Sequence, residues 1–115
     1  MLCYAIQAAS LSAALNEAIG QLLDHKQSPG RKVKQLDNRG STFYIAKYWA
    51  EAMAKHDPSF KGLSEALSAN EAKIVKELED VQGVPVDIGG YYKPDFEKVD
   101  KAMRASPTFN SILDA

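Results

Sequence analysis

The sequence predicts an all-α domain of five or six helices with one ordered non-helical loop. Three observations predict it. Apolar residues recur at spacings of three and four along most of the chain, the period of a helix with one buried face. Residues suited to starting and stopping helices punctuate those stripes. Between Gly83 and Pro94 the helical repeat is lost, and β-branched and aromatic residues flank the pair Gly89-Gly90.

In the first segment Leu11, Leu15, Ala18, Ile19, Leu22 and Leu23 fall on one stripe, and Ser28-Pro29-Gly30 is the expected stop. Gly20 weakens this helix by about 1 kcal/mol relative to Ala without breaking it. A basic connector, Arg31-Lys32-Val33-Lys34-Gln35-Leu36, leads to a second helix that Asn38, Ser41 or Thr42 could cap. Its stripe is Phe43, Ala46, Trp49, Ala50 and Met53, with Tyr44 and Tyr48 forming a second aromatic edge; it ends near His56-Asp57-Pro58.

Leu63, Ala66 and Leu67 mark a shorter helix, and Ser68-Ala69-Asn70-Glu71 has the pattern of a capping box. Val75, Leu78 and Val81 continue the stripe to Gly83; two helices or one merged helix both fit this stretch. Val84 to Tyr92 reads as an extended, ordered loop or a very short strand, with one glycine at positive φ so that Tyr91 and Tyr92 pack closely. Asp95 is placed to cap a helix with Phe96, Val99 and Met103 inward. Ser106-Pro107 opens a last helix carrying Phe109, Ile112 and Leu113.

Composition narrows the function classes. Among 115 residues, 14 Lys and Arg stand against 15 Asp and Glu, for a net charge of -1. Nucleic-acid and membrane-surface binders need an excess of basic residues, so neither partner is expected. A single cysteine, Cys3, excludes an intrachain disulfide and fits a reducing compartment. No apolar run reaches the roughly 18–20 residues of a membrane span. The N-terminus lacks the basic residues of a secretory signal. A cytoplasmic location is the expectation.

Most chemical motifs reduce to structural readings. His25 and His56 lie 31 positions apart without a second ligand at metal spacing, and each reads as a helix-end histidine. Cys3 has no His beside it in sequence to activate it. Glu77, Glu79 and Asp80 sit among Lys73 and Lys76, the pattern of a solvated helix face. Gly89-Gly90 lacks the spacing of a phosphate-binding loop.

The basic connector is different. Between Lys26 and Arg39 five basic residues meet one acid, Asp37, just before a helix N-terminus, where free amides and the helix dipole favour an anion. From these residues three readings stay open: a phosphate or other anion site, a solvated basic loop, or an arginine tied to nearby carboxylates.

Two blocks carry a family resemblance. Ser28-Pro29-Gly30-Arg31-Lys32-Val33, followed by Leu36-Asp37-Asn38-Arg39-Gly40-Ser41 and Phe43-Tyr44, resembles a block near the C-terminus of the monomeric NADP-dependent isocitrate dehydrogenases. Ala72-Lys73-Ile74-Val75, Val81-Gln82-Gly83, Pro85-Val86-Asp87-Ile88-Gly89-Gly90-Tyr91-Tyr92 and Met103-Arg104 are similar to the same family in the same order. The resemblance covers residues 11–115 and sets residues 1–10 apart as a foreign-looking extension.

That resemblance implies a mainly helical segment of an enzyme that converts isocitrate to 2-oxoglutarate with NADP and Mg or Mn. The family's chain is several-fold longer, and its metal-binding aspartates and isocitrate-gripping residues lie upstream of everything here. No metal is therefore expected on this chain. The resemblance implies a non-catalytic helical binding or interaction domain; the alternative is one part of a working isocitrate dehydrogenase whose remaining chain is absent. In the family a basic residue of the Ser-Pro-x-Arg-Lys/Arg block approaches the cofactor phosphate. It maps best onto Lys32, with Arg31 as its neighbour. Lys32 keeps the charge but lacks the bidentate fork of an arginine. If Arg39 converges with Arg31 and Lys32, weak binding of NADP is expected. The aromatic edges of the second helix and the Leu11–Leu22 stripe further suggest a homodimer; the alternative is that Met1–Ser10 folds back over the exposed face.

Overall fold

The second helix organises the structure because apolar side chains emerge from several of its sides. The computed structural model describes residues 2–115, with side chains from Ala5 onward; the expectations for Cys3 lie outside the described side chains. Six α-helices follow in order: α1 (Leu2–Asp24), α2 (Asn38–Ala54), α3 (Lys61–Ala69), α4 (Glu71–Asp80), α5 (Phe96–Met103) and α6 (Pro107–Asp114), with a 3-10 turn at Pro58–Phe60. No strand occurs among the described residues, and the all-α class holds.

One side of α2 meets α3, α4 and α6 around the buried residues Phe43, Ala50, Leu67, Ile74 and Leu78. Phe43 is fully enclosed, its ring edge-on to Phe109 at 5.3 Å and 86°. Another side meets α1 through Ala52 and Met53 against Ala14, where small residues let the helices approach closely. Trp49 Nε1 donates to Leu11 O at 3.0 Å across the same seam.

The α1 seam differs from the sequence stripe. Ala14, Ala18 and Leu22 are buried, whereas Ile19 and Leu23 face solvent. The α2 aromatics are largely covered within one chain: Phe43 and Tyr48 are buried, and Tyr44 and Trp49 half-buried. α1 is also continuous from Leu2, with residues 5–9 all exposed, so this segment projects rather than folding back. The radius of gyration is 15.8 Å, against about 13 Å for a compact domain of this size.

Several termini use residues other than those expected. α1 stops at Asp24, ahead of Pro29. Lys26 takes a φ of 55°, Gln27 N donates to Leu22 O at 2.9 Å and Lys26 N to Leu23 O at 3.1 Å, a Schellman ending with lysine in glycine's usual place. The cap of α2 is Asp37, whose carboxylate accepts from Gly40 N at 2.9 Å. Ser41 and Thr42 instead donate to Gln27 O and Asn38 O. No capping box forms at Ser68–Glu71: Ser68 bonds Glu51, and Asn70 turns back to Ala66 O, separating α3 from α4. Asp95 and Ser106 cap α5 and α6 as the sequence predicts.

Two polar joints tie α4 to its neighbours. Lys47 on α2 lies 3.0 Å from Glu71. Burial, with the Glu71 carboxylate beside it, pushes the Tyr44 phenol up to about 12, so it remains a neutral group in the core. Glu77 does not belong to a solvated face. Its carboxylate accepts from Ser106 Oγ at 2.7 Å, Thr108 Oγ1 at 2.9 Å and Thr108 N at 3.2 Å. Ser106 is itself buried, and its hydroxyl oxygen also accepts from Phe109 N at 3.1 Å, so one side chain caps α6 and latches it to α4.

The hydrogen bond from Ser106, followed by those from Thr108, holds the Glu77 carboxyl below the usual carboxylate range. A depressed folded value adds stability above the unfolded value of about 4.3 and loses it as pH falls through the folded one. The expected result is that Glu77→Gln lowers the melting temperature at pH 7 more than at pH 3. An equal decrease at both, by calorimetry, would exclude the charged latch.

Candidate functional site

The basic connector between α1 and α2 is fastened by amide side chains. Gln27 Oε1 accepts from Tyr48 OH at 2.6 Å, and its backbone carbonyl accepts from Ser41 Oγ at 2.6 Å. Gly30 N donates to Leu36 O at 2.7 Å, closing a loop over residues 31–35. Inside it, Gln35 Oε1 accepts from Arg31 N at 3.1 Å and from Lys32 N at 3.2 Å. A Cβ on Gly30 would lie 2.5 Å from that same oxygen, so glycine gives Gln35 room to turn in.

Gln82, at the end of α4, clamps the loop from outside. Its Oε1 accepts from Lys34 N at 2.6 Å and its Nε2 donates to Gln35 O at 2.9 Å. Lys34 has a φ of 73°. The loop is thus a shaped turn with the Arg31 and Lys32 amides aimed inward, while their side chains extend from it exposed. Neither makes an ion pair among the described residues.

Arg39 has a different situation. Its Nε and Nη2 reach Asp37 Oδ2 at 2.8 and 2.7 Å, while Nη1 donates to Ala102 O at 3.0 Å. The guanidinium therefore links the start of α2 to the last turn of α5. It lines a cavity with Met103, Arg104 and Phe109 that neither Arg31 nor Lys32 lines. Of the three open readings, an arginine tied to a carboxylate describes Arg39. The α2 N-terminus also already carries an anion, since the Asp37 carboxylate caps it at the Gly40 amide.

The clamps at Gln27, Gln35 and Gln82 were missed in the sequence. Gln82 lies 48 positions from Lys34 and Gln27 21 from Tyr48, and no local pattern marks a glutamine with so distant a partner. Gly89 and Gly90 both take positive φ, 83° and 115°. Tyr91 and Tyr92 nevertheless do not pack; both are almost wholly exposed. Phe96 and Met103 likewise face outward. No three His, Cys, Asp or Glu are placed to hold a metal among the described residues, and no described helix is long and apolar enough to cross a membrane.

Residues 4–114 match the family model for monomeric isocitrate dehydrogenase. The chain belongs to the monomeric isocitrate dehydrogenase family. The match enters the 1–10 segment that the sequence sets apart. Among relatives, isocitrate dehydrogenase [NADP] 2 of Mycobacterium tuberculosis is 50% identical over 111 residues, covering 91% of this chain and 15% of its own length. Isocitrate dehydrogenase [NADP] of Azotobacter vinelandii is 49% identical over 109 residues, covering 90% and 15%. The Corynebacterium glutamicum protein of the same name is 41% identical over 115 residues, covering 95% and 16%. The chain is thus a fragment of the isocitrate dehydrogenase pattern, a share consistent with a C-terminal segment.

The connector's geometry separates two roles within this family block. Arg39→Ala should destabilise the domain by about 1–3 kcal/mol, because Asp37 and the α5 carbonyl lose a charged partner. Lys32→Ala should change stability by less than about 0.5 kcal/mol, as an exposed surface substitution. Chemical denaturation of the two variants measures both, and equal losses would contradict the distinction.

Proposed function

We propose that this chain is a non-catalytic helical binding and interaction segment of the monomeric isocitrate dehydrogenase family. The observation that carries the proposal is its share of the relatives: about half the residues are identical, over only 15% of their length. Hydride transfer from isocitrate to NADP requires a metal, substrate and nicotinamide held together. Those groups belong to the remaining chain.

The connector supports a residual NADP contact. Gln35 Oε1 takes up the Arg31 and Lys32 amides and so shapes the turn, leaving the exposed cationic side chains of Arg31 and Lys32 to meet an anionic oxygen. Lys32, with Arg31 beside it, would hold the cofactor phosphate, and Arg39 would position the turn by fixing Asp37 and α5. One or two exposed phosphate contacts give weak affinity. The chain's expected location is cytoplasmic.

Two experiments test these roles. Purified chain with isocitrate, NADP and Mn should form no NADPH; activity that survives purification would reject the non-catalytic reading. Calorimetric titration should show weak binding of NADP in preference to NAD, reduced about tenfold by Lys32→Ala. Equal, undetectable binding of both nucleotides would remove the cofactor role.

Self-association of the isolated chain belongs to the same proposal. With the α2 aromatics covered, the face available for a homodimer is α1, where Ile19 and Leu23 stand exposed one turn apart. Light scattering should give twice the chain mass at micromolar concentration, and Ile19→Ser with Leu23→Ser should return it to the monomer. A monomer mass for the unaltered chain would reject the dimer.

A further inference from the structure

The cavity that Arg39 lines has a volume of about 330 Å³ and lies where the start of α2, the end of α5 and α6 meet beside α4. Leu78, Phe109 and Leu113 supply apolar wall, while Arg39 and Asn110 bring polar groups to it. Met103 stands at the rim, since its side chain lines the cavity and is also 56% exposed. An apolar cavity of about 150 Å³ already admits a benzene ring. A single-ring molecule therefore has room here.

Most polar side chains on this wall have partners. Thr42 donates to Asn38 O, Ser106 donates to Glu77, and Arg104 reaches the Asp114 carboxylate at 3.1 Å. Asn110 differs. Its Nδ2 donates to Arg104 O at 2.8 Å, but its Oδ1 is buried without a hydrogen-bond partner among the described residues. A carbonyl can only accept, so Arg104 O fixes which end of the amide faces it and leaves an acceptor unpaired. A buried acceptor without a partner bears its full desolvation cost, and a ligand that donates to it removes that cost.

We infer that this cavity is a binding site for a small neutral aromatic molecule carrying an O–H or N–H group, which donates to Asn110 Oδ1. Three features set that chemical class. The unpaired acceptor selects a donor, and a carboxylate has none to offer. Phe109 and Met103 suit a ring, because aromatic rings and thioether sulfur both pack favourably against one. Arg39 and Arg104 line the cavity while their carboxylate partners Asp37 and Asp114 do not, so the wall opposes a cation. The donor is therefore a hydroxyl or a neutral N–H rather than an ammonium. Neither Arg31 nor Lys32 lines the cavity, and the inference stands apart from the cofactor reading.

The test titrates the purified, isotope-labelled 115-residue chain with phenol and with toluene, which matches phenol in size but has no hydroxyl. Phenol at millimolar concentration should shift the nuclear magnetic resonance signals of Phe109 and Asn110. It should also bind about tenfold more tightly than toluene. Asn110→Leu should lower the phenol affinity to that of toluene. The two probes are compared on the unaltered chain, so their ratio decides the matter even where the variant fails to fold. Equal affinities for phenol and toluene would overturn the inference. Phenol binding that Asn110→Leu leaves unchanged would overturn it too. Shifts confined to Leu11, Trp49 and Phe60 would place the probe in a separate apolar cavity and reject the assignment. No response to phenol at millimolar concentration would reject a ligand site altogether.

Discussion

Helix α2 is constrained by having apolar side chains around most of its circumference. Phe43 and Ala50 must be covered from one direction, and Ala52 and Met53 from another. No single neighbour can do both, because a packed helix covers only one stripe. α1 therefore takes one side, while α3, α4 and α6 take the other. Loss of a side chain such as Phe43, on which residues from three helices converge, would remove a large part of the stability of a domain this small.

That arrangement places the connector. Because α1 and α2 pack side by side, the chain between them must reverse over a short distance, and its backbone polar groups need partners. Two glutamine side chains supply several of them, and a third anchors the turn to α2. Gln27 fastens the turn to α2, Gln35 gathers the amides of Arg31 and Lys32, and Gln82 joins the connector to α4. The charge that first draws attention to this segment thus rests on a neutral scaffold. Arg39 belongs to that scaffold, while Lys32 and Arg31 remain exposed above it.

Helix α5 follows a different rule. α5 has no buried residue and is held by the Arg39–Ala102 bond and by the loop that Asp87 pins. Phe96 and Met103 on it are therefore left exposed. The buried core gathers around α2 and does not extend to α5.

The sequence by itself determined the all-α class, the approximate spans of α2, α5 and α6, the proline-assisted start of α6 and the caps at Asp95 and Ser106. These depend on local period and on hydrogen bonds only a few residues long. Its two family blocks also carried the relationship to the monomeric isocitrate dehydrogenases. The tertiary structure decided which side of each stripe is buried, that Asp37 rather than Asn38 caps α2, and that Glu77 latches α6. It also separated Arg39 from Lys32. Each of those outcomes depends on which distant group arrives beside a residue: Arg39 finds Ala102 63 positions away, and Glu77 finds Ser106 29 positions away. A local pattern specifies that a helix has an apolar face, but the partner for its polar atoms is fixed only when the helices have packed.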